Sequence, residues 1–153
     1  MSPRSLSELA LHHPSVLHAD DTVERAVRAV LESGMPALAV VDERDRFAGI
    51  FGEREFMSAL FPGYLGQLRH AAYLPRTLDA ALEKRDACRG EPIGQYLTTD
   101  HVEVGPDFSD TQVAEIFLHH RVLVVPVVAG GHVEGLLTRR DFFRALAERF
   151  AGP

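Results

Sequence analysis

The chain has 153 residues, of which 46% are hydrophobic and 25% charged, the composition of an ordinary globular domain. Its formal net charge of −6 argues against nucleic-acid binding, and no apolar run approaches the roughly 18 residues of a membrane span. Cys88 is the only cysteine and the start of the chain lacks the apolar stretch of a signal peptide, so we expect a cytoplasmic protein without disulfides.

The first third of the chain predicts three strands and two helices after a short opening helix. Ser5 and Glu8 form a capping box for that opening helix, and Pro14 ends it. Thr22 is a candidate N-cap, and apolar residues then recur at helical spacing until Gly34, a typical C-terminal stop. The predicted elements are a strand at 16–18, a helix at 23–31, strands at 37–41 and 47–51, and a helix at 53–60.

A connector at 62–91 follows, and it is longer than most connections between elements. Its apolar pattern predicts two short helices broken at Pro75. We favour a structural role or a partner-binding surface for it. The alternative is a lid that carries Arg69, His70 or Arg76 toward a bound phosphate.

The last third repeats the first unit at an offset of about 86 residues. It predicts a short helix at 92–97, a strand through Val102 and Val104, a helix bearing Val113, strands at 123–128 and 133–137, and a helix at 140–150. Each copy reads as β-α-β-β-α, and neither is large enough to bury its helix faces alone. We therefore predict an α/β (α+β) fold, with repeats at 1–61 and 92–153 packed sheet to sheet about a pseudo-two-fold axis.

The second copy carries a Thr-x-x-Asp pair where a strand runs into a helix. Free backbone N–H groups at the positive end of a helix suit an anion, and Thr138 adds a hydroxyl there. The carboxylate of Asp141 is able to accept hydrogen bonds from the vicinal hydroxyls of a ribose. The same pair is also a plain capping motif, which is the alternative interpretation. In the first copy the corresponding residues are Gly52 and Glu55.

These residues resemble a tandem cystathionine-β-synthase (CBS) domain pair, also called a Bateman module. The first copy matches the family pattern at Thr22, at 40–42 (Val-Val-Asp) and at 49–51 (Gly-Ile-Phe), and departs from it at Ala39, Gly52 and Glu55. The second copy matches at 126–128 (Pro-Val-Val) and at 135–141 (Gly-Leu-Leu-Thr-Arg-Arg-Asp). The resemblance covers nearly the whole chain except the connector.

The resemblance implies that an adenosyl compound binds in the cleft between the repeats. Its predicted main site has a polar part at the helix start and an adenine slot, formed by Thr138, Arg139, Arg140 and Asp141 and by Val102, Val104, Leu123, Val124, Val125 and Pro126. A weaker site is expected in the first repeat, at Ala37, Leu38, Arg54 and Glu55.

The identity of the adenosyl ligand stays open at this point. Phosphate-binding members of the family often carry a basic residue two positions before the strand proline, where this chain has Val124, or Ala37 in the first copy. Phosphate charge would then be met by Arg139 and Arg140, or by 119–121 (His-His-Arg). AMP, ADP, ATP, S-adenosylmethionine and adenosine all remain candidates.

The resemblance also implies a regulatory protein and not an enzyme. The chain has no P-loop, nucleophile elbow or zinc-protease motif, and its adjacent histidine pairs cannot easily share one metal ion. We expect no required cofactor and no metal, an adenosyl nucleotide as effector ligand, a homodimer formed through the helices, and a separate effector protein. The alternative is a dimeric scaffold that works without ligand.

Overall fold

The structure, a computed structural model, describes residues 6–60, 79, 82–83 and 85–152. The first repeat contains α1 (Leu6–Leu9), β1 (Leu11–His12), β2 (Leu17–His18), α2 (Val23–Ser33), β3 (Ala37–Val41), β4 (Phe47–Gly52) and α3 (Glu53–Leu60). A 3-10 turn at Asp86–Gly90 lies at the end of the connector, and the second repeat contains a 3-10 turn at Ile93–Gln95, then α4 (Asp110–His119), β5 (Val124–Ala129), β6 (His132–Thr138) and α5 (Arg139–Ala151). The predicted connector break at Pro75, together with Arg69, His70 and Arg76, lies outside the described residues.

Two three-stranded sheets form the centre of the molecule, in the orders β2-β3-β4 and β1-β6-β5. In the first sheet β2 runs parallel to β3, which pairs antiparallel with β4. In the second sheet β5 pairs antiparallel with β6. A single parallel bridge from Val104 to Val127 takes the place that β2 has in the first sheet. The predicted fold class, two β-α-β-β-α repeats related by pseudo-symmetry, is confirmed.

The first segment of each repeat crosses to the sheet of the other repeat. Strand β1 pairs antiparallel with β6, placing His12 opposite Leu136, and in the counterpart bridge Thr98 lies opposite Ile50 on β4. Glycines make room for both crossings. A Cβ at Gly135 would lie 2.7 Å from the carbonyl oxygen of His12, and one at Gly49 would lie 2.8 Å from that of Thr98. The crossing therefore ties the repeats together through backbone contacts.

Apolar residues at helical spacing bury one face of α2 against the first sheet. Thr22 caps this helix by accepting a hydrogen bond from the Arg25 N–H at 3.2 Å, and Gly34 ends it with a left-handed φ of 70°. Every residue of β3 is buried, as expected of a strand covered on both faces. Among the helices in the described part of the chain, none has the length and apolar character needed to cross a membrane.

Candidate functional site

Thr138 ends β6 and caps α5. It is 3% exposed, and its hydroxyl oxygen accepts a hydrogen bond from the Asp141 N–H at 3.2 Å. The same hydroxyl donates to Oδ2 of Asp141 at 2.6 Å. The capping geometry predicted for this pair is thus present, and it fixes the Asp141 carboxylate beside the first turn of α5.

Asp141 also contacts a residue from the other end of the chain. Its Oδ2 lies 2.6 Å from Nε2 of His12, and its Oδ1 lies 3.9 Å from the guanidinium of Arg144. The hydrogen bond from Thr138 lowers the pKa of Asp141 below its ordinary value of 3.8, burial opposes this, and His12 and Arg144 lower it further. With this lowered pKa, Asp141 is an ionised carboxylate at neutral pH. Its side chain keeps 28% of its surface exposed, so a ligand is able to reach it.

A groove with a volume of about 1020 Å³ opens in front of this carboxylate. Its walls come from both repeats. The first repeat contributes the end of α2, the loop that leads from it to β3, Glu53 and His12, and the second contributes the start of α5 and the apolar side chains of α4. The residues around it are His12, Ser33, Gly34, Met35, Pro36, Glu53, Ala114, Phe117, Leu118, Leu123, Thr138, Arg139, Arg140, Asp141, Phe142, Phe143, Arg144 and Leu146.

The structure brings part of the predicted site together in this groove. Of the residues predicted for the main site, five line it: Leu123, Thr138, Arg139, Arg140 and Asp141. Val102 and Val124 instead line a smaller cavity of about 150 Å³ beside Glu55, which Leu123 also reaches. Val104, Val125 and Pro126 are buried in the second repeat and line neither cavity.

The crossing of the chain explains this separation. The first segment of each repeat lies on the sheet of the other repeat. Residues near 102 therefore lie beside the carboxylate of Glu55, and residues near 12 lie beside that of Asp141. Sequence reasoning missed His12, Met35 and Pro36, which border the larger groove. The offset of about 86 residues between the copies, added to position 12, would have identified Thr98 as the counterpart of His12.

In the first repeat, the site that corresponds to Asp141 is closed by the side chain of Glu55. Glu55 is 7% exposed; it accepts the Gly52 N–H at 2.9 Å through Oε1 and the Thr98 hydroxyl at 2.5 Å through Oε2. A side chain at Gly52 has no room, because a Cβ there would lie 2.3 Å from the carbonyl oxygen of Pro36. Both carboxylate oxygens of Glu55 therefore accept hydrogen bonds within the protein. Of the other residues predicted for this weaker site, Ala37 and Arg54 line the small cavity, and Leu38 is buried in the core.

Comparison with known proteins finds one family. A model of the CBS domain family matches residues 6–62 and 93–148. Among curated proteins, the chain is 24% identical to an uncharacterised 17.7 kDa protein of Acidianus ambivalens, over 94% of this chain and 73% of that one. It is 20% identical to an uncharacterised protein of Methanocaldococcus jannaschii, over 97% of this chain and only 33% of that one.

Solved CBS-domain structures have the same fold. The CBS domain of a CBS domain-containing membrane protein from Sphaerobacter thermophilus aligns with a TM-score of 0.69 and 22% identity, over 92% of this chain and 86% of that one. A CBS domain-containing protein from Kribbella flavida gives a TM-score of 0.68 and 19% identity, over 95% and 100%. CBSX2, solved in complex with AMP, gives 0.67 and 18%, over 98% and 100%.

Proposed function

The chain belongs to the CBS-domain family, of which it carries two copies, and we propose that it is a regulatory module that senses an adenosyl compound in the groove between its repeats. CBS domains of this kind are regulatory modules rather than enzymes, so in our proposal the chain has no catalytic activity of its own. The solved AMP complex of CBSX2, a protein of the same fold, supports an adenine nucleotide as the ligand class.

The observation that carries the proposal is the Asp141 carboxylate at the edge of an inter-repeat groove. A volume of about 1020 Å³ is ample for a nucleotide. The two ribose hydroxyls would donate to Asp141, and a phosphate would lie near the N-terminus of α5, where backbone N–H groups and the helix dipole favour negative charge. Met35, Pro36 and Leu123 offer apolar surface for the adenine ring.

The charges around the groove favour a phosphorylated ligand over a cationic one. Three arginines, Arg139, Arg140 and Arg144, border it together with His12, against the carboxylates of Glu53 and Asp141. A nucleotide phosphate would gain from this excess of basic groups, whereas the sulfonium of S-adenosylmethionine would be repelled by it. We therefore propose AMP, ADP or ATP ahead of S-adenosylmethionine.

We further propose one ligand site per chain. Glu55 is buried and both its oxygens already accept hydrogen bonds, so the first repeat offers no free carboxylate to a ribose. The cavity beside it, at about 150 Å³, is too small for a nucleotide. A ligand at Asp141 would contact both repeats, so that its occupancy would bias their relative position, and a separate effector protein would respond to that change.

Exposed apolar side chains on the helices support a homodimer in the same proposal. Leu31 and Met57 in the first repeat are 75% and 55% exposed, and Leu118 and Phe143 in the second are 79% and 61% exposed. These four residues occupy corresponding places in the two repeats. They also favour the second candidate function, a dimeric scaffold that acts without ligand, since a surface of this kind needs a partner whether or not the groove is filled.

A thermal-shift experiment separates the two functions. A ligand that binds only the folded chain raises its stability by about 2.7 kcal/mol at a hundredfold excess over Kd. We expect AMP, ADP or ATP to raise the Tm of the parent protein, and Asp141→Ala to abolish that rise.

Ser109→Ala is the matched control for this experiment. Ser109 caps α4 by accepting the Gln112 N–H at 3.1 Å, and its side chain does not line the groove. Its removal costs about 1 kcal/mol through a lost cap but leaves ligand binding intact. If no adenosyl compound shifts the Tm of the parent, the scaffold function is favoured. If Asp141→Ala and Ser109→Ala respond alike, Asp141 is only a cap.

A further inference from the structure

His12 occupies a position at Asp141 that a ligand hydroxyl would need. Its Nε2 lies 2.6 Å from Oδ2, and its backbone is held opposite Leu136 by the pairing of β1 with β6. The counterpart residue Thr98 donates to Glu55 in the same manner. In both repeats the crossing segment thus brings a hydrogen-bond donor to the carboxylate of the other repeat, but only the histidine is able to gain a charge.

The elements next to β1 and the walls of the groove carry other ionisable groups. The three arginines of α5 that border the groove oppose a positive charge on the imidazole, while Asp141 favours it at hydrogen-bond distance. The groups on the neighbouring elements are Glu8 on α1, His13 directly after β1, Glu134 on β6, Glu53 on α3, and Arg139, Arg140, Asp141 and Arg144 on α5. His13 itself is turned to the carbonyl oxygen of Glu134, at 2.9 Å.

We propose that His12 is a pH-dependent latch on the ligand site at Asp141, an inference that rests on the proposed function. When protonated, the imidazolium donates a charge-assisted hydrogen bond to Oδ2, and a ribose hydroxyl must displace it to reach the carboxylate. When neutral, the imidazole holds the carboxylate more weakly and the ligand competes better. Because protonation adds a charge to the hydrogen bond that holds Oδ2, ligand affinity should be higher when the imidazole is neutral than when it is protonated.

Adenosine is the appropriate probe for the latch. The phosphate of a nucleotide titrates near pH 6 and would itself be attracted by an imidazolium, which would mask the effect. Calorimetry at pH 5.5 and pH 8 should give a Kd for the parent that falls by about three- to tenfold on raising the pH. His12→Gln keeps a neutral donor of similar reach, and its Kd should change little between the two conditions.

Two kinds of result would overturn the latch. Parallel pH profiles in parent and His12→Gln, or a flat profile in the parent, overturn the latch and leave the ligand site standing. If adenosine binds to neither protein at either pH, Asp141 does not bind adenosine, and the latch has no ligand to regulate.

A second measurement tests the latch contact without ligand. Because His12 contributes to the lowered pKa of Asp141, a carbon-13 titration of that carboxyl should give a higher pKa in His12→Gln than in the parent. An unchanged Asp141 pKa would mean that the two side chains do not pair in solution, and would overturn the latch even if adenosine binds.

Discussion

At the scale of single residues, the two repeats use a carboxylate three positions after the strand end in different ways. Glu55 reaches back to the Gly52 N–H and across to Thr98, and is buried. Asp141 is one methylene shorter, shares a hydrogen bond with Thr138, and stays partly exposed. One carboxylate therefore completes the fold, and the other remains accessible from the groove.

Replacing Glu55 should lower stability without affecting the ligand site. Glu55→Ala leaves the buried Gly52 N–H and the half-buried Thr98 hydroxyl without their acceptor, at a cost of about 1–3 kcal/mol in the free energy of unfolding. Urea denaturation followed by circular dichroism measures this loss. Glu53→Ala, an exposed neighbour on the same helix, should stay within about 0.5 kcal/mol of the parent. Equal stability of both variants would show that Glu55 has no cross-repeat role.

At the scale of elements, the longer helices and strands could be predicted from the sequence but the crossing strands could not. Helix α2 has several turns of apolar spacing with a cap at each end, and β3 is a continuous apolar run. Strand β1 has two residues, too few to express a period, and its partner strand is more than a hundred positions away. Its pairing is set by tertiary contact, which leaves no local signal except the small residue Gly135 opposite it.

A substitution at Gly135 should loosen the crossing of β1. In Gly135→Ala the new methyl group would meet the carbonyl oxygen of His12 and a methyl of Leu11, at 2.7 and 2.9 Å. We expect a loss of about 1–3 kcal/mol in stability and faster amide hydrogen exchange at residues 6–12. Gly105→Ala is the control, because no atom lies within 4 Å of a Cβ there. Unchanged exchange in Gly135→Ala would contradict the tight packing of β1 on β6.

At the scale of the whole molecule, the groove is a property of the pair of repeats. Its polar end at Thr138 and Asp141 could be predicted because cap and helix start are adjacent in sequence. Its opposite wall at Met35 and Pro36 could not, because it comes from the first repeat and meets α5 only after the sheets pack. A ligand bridging the two walls would be sensitive to any shift between repeats, which suits a regulatory module.

The exposed apolar helix faces lead to a prediction about assembly. We expect the parent protein to elute as a dimer of twice the chain mass in size exclusion with light scattering. A Leu31→Asp/Phe143→Asp double variant should be monomeric, since each charge would be buried in an apolar interface. Leu9→Asp, on the equally accessible α1, should remain dimeric. A monomeric parent, or a dimer that both variants retain, would contradict this surface as the interface.

The most direct test of the account is the stoichiometry of AMP binding by calorimetry. We predict one site per chain in the parent and in Glu55→Ala, and no measurable binding in Asp141→Ala. Two sites per chain, or undiminished binding in Asp141→Ala, would contradict a single ligand site at the second repeat. The absence of binding by the parent to AMP, ADP and ATP alike would contradict nucleotide sensing by this chain.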